Sequence, residues 1–344
     1  MLGLFEKKEH RLVINAQKSL VLKHKETILN GALRNDVKFP HSCKVGGCGT
    51  CKCRLISGKV KELTDKSYLL SKQEIAENYI LACQSTPKSD VVIELPNWDK
   101  NDNGVAGYIS GIEPLTHNIS EVIVSLDDHI HYKPGQYTSV QTLDTDIPAR
   151  CYSFAHKHTL DEDKKTSFFV RAVPEGHMST WLIDPMNIGA KVKLSAASGD
   201  FYLRDQATPV LCVVGGSGLA PIIAVLEEAI NSNSAIIDQP LTLLMGVRSQ
   251  RDIYYQEHIK NLGVLWKNDF HFIPVLSDEP IDSDWSGQRG MVTEYINEKN
   301  CHYGTGYLCG PPAMLDAAMK KMQVSGMESH RIFFDKFLDQ SGSS

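Results

Sequence analysis

Four cysteines have the spacing of ligands to a small iron–sulfur cluster. Cys43, Cys48 and Cys51 follow the pattern C-x4-C-x2-C, and Cys83 lies farther along the chain. This spacing is typical of the thiolates that bind a plant-type [2Fe–2S] cluster, which carries single electrons. A loop that wraps three thiolates around one cluster must turn tightly, and glycines lie between the ligands where a Cβ would clash. These glycines are Gly46, Gly47 and Gly49.

Other uses of these cysteines fit the sequence less well. Structural zinc usually takes two C-x2-C pairs, whereas Cys83 has no close cysteine partner in the sequence. Disulfides are not expected, because the chain has nine cysteines but no signal-peptide pattern, which indicates a reducing, cytoplasmic compartment. Cys53 follows Cys51 by two residues and would point the same way in a strand. We interpret Cys53 as a small buried apolar residue rather than a ligand.

A second group of residues has the chemistry to bind a flavin nucleotide. Arg150, Tyr152 and Ser153 form an Arg-x-Tyr-Ser sequence. An arginine can bind a phosphate, a tyrosine can lie against the flavin ring, and a serine hydroxyl can form a hydrogen bond near its N5 atom. Gly176 and Ser179 stand where a helix is expected to begin, and free amides there would suit a pyrophosphate. Arg150 as a surface charge, Tyr152 as a core aromatic and Ser179 as a plain N-cap remain alternatives.

A third group has the pattern of a dinucleotide site. The apolar run at residues 210–214 has the character of a parallel strand buried on both faces. It leads directly into Gly215, Gly216 and Gly218 and then into a helical segment with Pro221 in its first turn. A strand, a glycine turn and a helix start can hold a pyrophosphate, although this is neither the G-x-G-x-x-G pattern nor a P-loop.

Two later segments are expected at the same edge of that sheet. Asp252 follows the second strand of the region, where a carboxylate could accept hydrogen bonds from the adenosine ribose and repel a 2′-phosphate, which favours NADH. Arg248 and Arg251 could instead attract that phosphate. Cys309 and Gly310 begin a Cys-Gly-Pro-Pro turn after another strand. We interpret this turn as part of the ligand crevice, although Gly-Pro is also common in ordinary turns that end a strand.

Length and composition agree with several domains and exclude some functions. The chain has 344 residues, of which 42% are hydrophobic, and its formal net charge is −5, so no nucleic-acid partner is expected. The uncharged stretch 206–226 is broken by glycines and a proline, so no transmembrane span is expected. The order of motifs and of strand and helix patterns along the chain predicts three domains. These are a cluster domain at 1–98, a flavin domain of short antiparallel strands at 104–204, and an alternating α/β domain at 207–344.

Several elements are expected to position these residues. In the first domain we predict strands at 11–21, 53–56 and 91–95 and a short helix capped by Thr27. In the second we predict strands at 120–126, 137–141, 166–172 and 191–194, which fit a small barrel or sandwich. In the third, strands at 241–247 and 272–276 and a helix-like stretch at 293–296 continue the parallel pattern.

The ordered set of motifs resembles the reductase components of bacterial multicomponent oxygenases. The resemblance covers nearly the whole chain and includes the terminal Phe-Phe-Asp-Lys-Phe sequence, which contains Phe337. It implies a β-grasp plant-type ferredoxin domain, an antiparallel β-barrel FAD domain and an α/β parallel-sheet NAD domain. The implied cofactors are a [2Fe–2S] cluster, FAD and NADH, with Ser153 beside the flavin, Cys309 beside the nicotinamide and Phe337 at the flavin face.

The same resemblance implies an NADH:acceptor oxidoreductase that serves an oxygenase or hydroxylase component. The phrases at 39–52, 55–58, 289–295 and 307–312 are most similar to members that serve a membrane-embedded diiron hydroxylase acting on hydrocarbons or aromatics, which would allow peripheral contact with a membrane. One alternative is a reductase of the same architecture for an iron–sulfur dehydrase of deoxysugar synthesis. Another is a non-catalytic chain that only docks, which the intact motifs argue against.

Overall fold

The computed structural model describes residues 9–37, 39–41, 44, 46, 49–66, 69–70, 72–95, 104–157 and 164–337. The chain divides into two compact units. The described part of the first ends at residue 95, and the described part of the second runs from 104 to 337. The second unit contains two sheets of different kinds, one antiparallel and one parallel.

The first unit is a mixed sheet with a helix packed on it. The five-stranded sheet has the order β2-β1-β7-β3-β5, with β1 and β7 parallel, and β4 and β6 pair separately. The elements are β1 (His10–Ile14), β2 (Lys18–Leu22), α1 (Ile28–Arg34), β3 (Lys52–Ser57), β4 (Val60–Glu62), α2 (Lys72–Ala76), β5 (Tyr79–Leu81), β6 (Ser85–Pro87) and β7 (Val91–Glu94). This is the arrangement of the expected ferredoxin domain.

Local chemistry explains two features of this unit. The Thr27 hydroxyl accepts a hydrogen bond from the Asn30 amide at 3.2 Å and so caps α1, as expected. The prediction of one strand over 11–21 was wrong. Asn15 and Ala16 adopt positive φ angles of 48° and 56° and reverse the chain, so the segment forms the hairpin β1–β2 instead.

An antiparallel barrel forms the first half of the second unit. Its sheet order is β11-β10-β13-β8-β9-β12, and an antiparallel bridge between Phe154 and Phe168 joins the two outer strands, so the barrel is nearly closed. Both phenylalanines are buried in its core. The elements are β8 (Val105–Pro114), β9 (Ile119–Leu126), β10 (Tyr137–Thr142), β11 (Arg150–Ser153), β12 (Lys165–Arg171), α3 (His177–Ile183) and β13 (Lys191–Leu194).

A parallel six-stranded sheet forms the second half of this unit. Its order is β17-β16-β15-β14-β18-β19, and every pairing is parallel. All six residues of the central strand β14 are buried, as the apolar run predicts. The elements are β14 (Val210–Gly215), α4 (Leu219–Asn231), β15 (Leu241–Val247), α5 (Gln256–Leu265), β16 (Phe270–Leu276), β17 (Gln288–Arg289), α6 (Glu298–Cys301), β18 (Thr305–Gly310), α7 (Pro312–Val324) and β19 (Ile332–Lys336).

The stretch 206–226, which raised the question of a membrane span, is divided mainly between two elements of this domain. β14 runs through the centre of the sheet, and α4 begins at Leu219 after the glycine turn. Within the described ranges, no helix combines the length and the apolar character that crossing a bilayer requires. The predicted helix-like stretch at 293–296 is a single 3-10 turn, Val292–Tyr295.

Candidate cofactor sites

Two of the four predicted cluster ligands lie in the described chain, and the fold brings their backbones together. Cys51 immediately precedes β3, and Cys83 lies in the short turn after β5. β3 and β5 pair antiparallel, and the Ala82 amide donates to the Cys51 carbonyl at 3.0 Å. Both thiols are buried. The predicted ligands Cys43 and Cys48 lie outside the described residues.

The chemistry of this edge suits a thiolate-bound cluster. Gly46 and Gly49 have φ angles of 78° and 68°, which agrees with a loop that must curl where side chains would clash. Cys53 lies on β3 opposite Ile80 and is fully buried in the core of the first unit. Burial raises the pKa of the Cys53 thiol, and the nearby Cys83 adds to the effect, so Cys53 behaves as a neutral core residue.

The predicted flavin residues occupy one strand of the barrel, β11. Arg150 donates from Nη1 to the carbonyls of Ala149 at 2.9 Å and Pro148 at 3.4 Å, so its contacts here are to the segment just before β11. Tyr152 packs at a ring distance of 6.2 Å from Phe168, and burial raises its pKa. Its hydroxyl therefore stays protonated, which suits a ring that lies against a neutral aromatic cofactor.

Ser153, at the end of β11, reaches across to the other half of the unit. Its hydroxyl donates to Asp335 Oδ2 at 2.8 Å, and Asp335 belongs to β19 of the parallel sheet. Burial raises the pKa of Asp335 to about 6, although the Ser153 hydrogen bond lowers it. Because the Ser153 hydroxyl donates its proton to the Asp335 carboxylate, its oxygen lone pairs are left to accept a hydrogen bond from a bound ring.

Gly176 and Ser179, expected at a pyrophosphate site, form hydrogen bonds mainly within their own loop. Gly176 precedes the seven-residue helix α3 as its N-cap. The Ser179 hydroxyl donates to the Gly176 carbonyl and accepts from the Val173 amide, both at 3.1 Å. These bonds fix the turn that precedes α3, so the Ser179 hydroxyl already has two partners within its own loop.

A cavity of about 890 Å³ lies at the carboxyl ends of the parallel strands. Five residues singled out in the sequence line it, namely Gly215, Gly216, Arg248, Arg251 and Asp252. The barrel contributes Arg171 and His117 to the same cavity. A crevice at this edge of an open parallel sheet is where dinucleotides bind, and its volume suits one.

Four predicted nucleotide residues do not line this cavity and are buried in the elements around it. Gly218 packs so closely on β18 that a Cβ there would lie 2.3 Å from the Cys309 carbonyl oxygen. Pro221 is buried within the first turn of α4. Cys309 is fully buried, and burial raises the pKa of its thiol, with the Asp335 charge adding to the effect. The Gly310 carbonyl accepts a hydrogen bond from the Phe337 amide at 3.1 Å.

Asp252 has partners for both carboxylate oxygens in this structure. Oδ2 accepts hydrogen bonds from the Ser249 amide at 2.9 Å and from the Ser249 hydroxyl at 2.8 Å. Oδ1 lies 3.2 Å from His117 Nδ1. The carboxylate therefore closes the turn after β15, and a ribose hydroxyl would have to share or replace the His117 contact.

Comparison with known proteins matches a family of cofactor-binding domains to each of the three predicted sites. Residues 13–88 match the 2Fe-2S iron-sulfur cluster binding domain, residues 108–202 the oxidoreductase FAD-binding domain, and residues 212–320 the oxidoreductase NAD-binding domain. The xylene/toluene monooxygenase electron transfer component of Pseudomonas putida is 40% identical over 323 residues, which are 92% of this chain and 89% of that protein. The chain belongs to the reductase components of multicomponent oxygenases.

Other members of this reductase family agree. The reductase component of the naphthalene 1,2-dioxygenase/salicylate 5-hydroxylase systems of a Ralstonia species is 34% identical, over 90% of this chain and 93% of that protein. Among solved structures, the Amycolatopsis cytochrome P450 reductase superposes with a TM-score of 0.68 at 29% identity, and the match covers 95% and 98% of the two chains. The predicted three-domain fold is thereby confirmed, and the deoxysugar alternative is not favoured.

The reductase is an oxidoreductase with a [2Fe–2S] cluster, FAD and NADH as its cofactors. The sequence reading missed two groups that the structure brings into these sites. Arg171 ends β12, and its Nη1 lies 3.6 Å from the position of a Cβ on Gly216, so a cation faces the glycine turn after β14. Asp335 belongs to the terminal Phe-Phe-Asp-Lys-Phe sequence. That sequence does not indicate a contact with Ser153, because the two residues lie on different sheets.

Proposed function

We propose that this reductase takes electrons from NADH into FAD, passes them to its [2Fe–2S] cluster and delivers them to a separate oxygenase component. When bound, FAD accepts two electrons as a hydride and releases them singly, which links nicotinamide to one-electron carriers. The chain itself needs to place the two reacting rings together and to exclude water.

The single observation that carries this proposal is the composition of the 890 Å³ cavity. Its walls include Gly215 and Gly216 from the nucleotide half together with Arg171 and His117 from the flavin half. A dinucleotide held there extends toward the barrel. The Ser153–Asp335 hydrogen bond joins the flavin strand β11 to the nucleotide sheet within the same unit.

Each predicted residue receives a role in this proposal. Arg150 holds a flavin phosphate, Tyr152 lies against the flavin ring, and Ser153 hydrogen-bonds near the flavin N5. Gly176 and Ser179 form the turn that presents α3 to the FAD pyrophosphate. Because the Ser179 hydroxyl is engaged with its own loop, we assign it to fixing that turn.

The nucleotide residues divide into those that contact NADH and those that shape the site. Gly215, Gly216 and Asp252 contact the nucleotide, while Gly218 and Pro221 fix the turn and the start of α4. Cys309 and Gly310 are buried next to Pro311, which lines the cavity, and so support the wall on which the nicotinamide packs. Phe337, whose amide donates to the Gly310 carbonyl, is assigned to the flavin face. Since its thiol is buried and neutral, Cys309 acts through packing rather than through nucleophilic attack.

The cluster is assigned to four thiolates in the domain spanning 1–98, with the FAD domain at 104–204 and the NAD domain at 207–344. Cys51 and Cys83 occupy adjacent backbone positions that support this assignment. The remaining two ligands are Cys43 and Cys48. We place the reductase in the cytoplasm, where NADH is available and thiols stay reduced.

For the partner, we propose a membrane-bound diiron hydroxylase that acts on hydrocarbons or aromatics. Support comes from the 40% identity to a xylene/toluene monooxygenase electron transfer component. The test mixes the purified reductase with NADH and either membranes that contain a xylene-type hydroxylase or a purified soluble dioxygenase. Substrate hydroxylation with the membranes but not with the dioxygenase is expected, and the reverse result would refute the membrane partner.

The electron route is tested without any partner. NADH should reduce cytochrome c, a one-electron acceptor, at a rate that depends on both FAD and the cluster. Absence of NADH-driven cytochrome c reduction in protein that contains both cofactors would refute the route.

A further inference from the structure

A cluster of four titratable side chains lies outside the cofactor cavity and joins the two halves of the second unit. Glu121 comes from β9 of the barrel, and His156 follows β11. Glu227 lies on α4 and His258 on α5 of the nucleotide half. Glu227 Oε1 lies 2.9 Å from His156 Nδ1 and 2.9 Å from His258 Nε2. None of these four residues lines the nucleotide cavity.

His156 has carboxylates at both of its ring nitrogens. Its Nδ1 faces Glu227, and its Nε2 lies 3.1 Å from Glu121 Oε1. A carboxylate only accepts hydrogen bonds, so His156 carries a proton on each nitrogen when no other ion is present. The two carboxylates and the His156 imidazolium together carry one net negative charge in a partly buried place.

We propose that His156 Nδ1, His258 Nε2 and Glu227 Oε1 form a binding site for a divalent transition-metal ion such as Zn²⁺. All three ligand atoms lie within 4.8 Å of one another. Two imidazoles and one carboxylate are a ligand set that zinc takes in proteins, with water in the fourth position. Oxygen-preferring ions such as Mg²⁺ do not suit two imidazole ligands.

Glu121 supplies the outer contact that such sites require. A histidine bound to a metal usually donates its other ring N–H to a carboxylate, which fixes the tautomer and the ring orientation. His156 already has this arrangement, because Nδ1 faces the proposed ion and Nε2 faces Glu121. Glu121 is itself held by the Ser167 hydroxyl at 2.6 Å. This preorganised outer shell distinguishes the cluster from a chance meeting of surface charges.

Charge and geometry both allow the ion to enter. The ion replaces the proton on His156 Nδ1, which leaves to solvent. His258 faces Glu227 through Nε2–H, so its proton must move by exchange with solvent to Nδ1 before Nε2 can bind the ion. The ion adds two positive charges and one proton leaves, so the net charge of the cluster rises by one, and nothing is oxidised or reduced. With metal–ligand bonds of about 2.0–2.1 Å in a tetrahedron, the ligand atoms stand roughly 3.3 Å apart, so the 2.9 Å contacts must open by about 0.4 Å.

Solvent has access to this site. The side chains of His156 and His258 are 30% and 35% exposed, whereas that of Glu227 is 11% exposed. The two imidazoles therefore form the entrance, and the carboxylate forms the floor. An ion can enter from this side and keep a water ligand there.

The ion would tie the barrel to the helices that frame the pyrophosphate turn. The Tyr255 hydroxyl lies 3.0 Å from His156 Nε2, and the neighbouring Tyr254 hydroxyl donates to the Gly216 carbonyl at 3.0 Å. Glu227 is on the helix that begins at this glycine turn. Zn²⁺ should therefore stabilise the second unit against heat in proportion to its binding, because a ligand that binds only the folded state raises its unfolding temperature.

The test uses the full chain with its cluster and FAD in place. The protein is dialysed against a mild chelator, its iron content is verified, and ZnCl2 or MgCl2 is titrated by calorimetry. One Zn²⁺ and no Mg²⁺ should bind per chain. Glu121→Gln should weaken Zn²⁺ binding ten- to a hundredfold, and His258→Gln at least tenfold. The matched controls Glu228→Gln, on the same helix, and His271→Gln, an exposed histidine on β16, should bind as the wild type does.

A measurement on the wild type protects the test against variants that do not fold. X-ray absorption at the zinc edge should show nitrogen and oxygen ligands at about 2.0–2.1 Å and no sulfur near 2.3 Å. A sulfur ligand, no stoichiometric Zn²⁺ binding, or equal affinity in folded His258→Gln and wild type would each overturn the proposal. An ionic hydrogen-bond cluster without a metal would then remain as the account of these side chains.

Discussion

Replacing Gly218 by alanine tests the packing of the glycine turn against β18. An added Cβ would lie 2.3 Å from the Cys309 carbonyl oxygen and 2.6 Å from the Cys309 carbonyl carbon. Ordinary van der Waals contact for such an atom begins at 3.4 Å, so the turn and the strand must separate by roughly 1 Å. Both neighbours are backbone of buried elements and cannot rotate away as a side chain would.

The consequence should appear mainly in hydride transfer. A misplacement of about 1 Å in a positioned substrate can reduce the rate by roughly a hundredfold. Overpacking of this kind also lowers stability by about 1–3 kcal/mol. Stopped-flow absorbance should therefore show FAD reduction by NADH slowed by about two orders of magnitude in Gly218→Ala. Dithionite, which does not use the nucleotide site, should reduce the flavin at the wild-type rate.

A matched control is available in the barrel. Gly111 lies on β8, and an added Cβ there would have its nearest contact with Ile123 at 3.4 Å, an ordinary distance. Gly111→Ala should therefore retain rapid reduction by NADH. Rapid reduction in Gly218→Ala, with a wild-type KM for NADH, would refute the view that the close approach of turn and strand positions the nucleotide.

Four further outcomes are expected. Cys48→Ser should lose the visible [2Fe–2S] spectrum and cytochrome c reduction while NADH-driven two-electron dye reduction survives, and loss of both activities in folded, FAD-loaded protein would contradict a modular chain. Arg150→Ala should lose FAD during purification, because a flavin phosphate would lack its bidentate partner, and stoichiometric FAD at wild-type affinity would show otherwise. NADH should exceed NADPH in kcat/KM, and Asp252→Ala should move the ratio toward NADPH; equal wild-type values would refute this preference. Burial raises the pKa of Asp335 from 3.8 to about 6, so its ionised form destabilises the fold by up to about 3 kcal/mol above pH 6. Asp335→Asn should therefore raise Tm at pH 8 but not below pH 4, and an equal gain at both pH values would contradict a titrating carboxyl.

The features of this protein that could be predicted from sequence lie in short, continuous stretches of the chain. Three of the four predicted cluster thiols (residues 43–51), the Arg-x-Tyr-Ser strand and the turn after β14 each lie within a dozen or so residues, where chain connectivity alone limits the geometry. Thr27 caps α1 because the hydroxyl and the Asn30 amide are neighbours in the chain. The same local reasoning failed for 11–21, because the turn of the β1–β2 hairpin contains neither glycine nor proline, and the positive φ angles are adopted by Asn15 and Ala16.

Contacts between distant segments depended on tertiary structure. Ser153 and Asp335 are 182 positions apart in the sequence, and Glu227 is 71 positions from His156, yet each pair is within hydrogen-bonding distance. No local pattern records such pairs, since each partner would satisfy propensity equally well as a solvated surface residue. They meet because β11 and β19, and likewise the barrel and α4, are brought side by side by the burial of apolar surface, which is non-directional along the chain. Sequence therefore determined which cofactors the chain can bind, whereas packing of the two sheets decided which polar groups surround them.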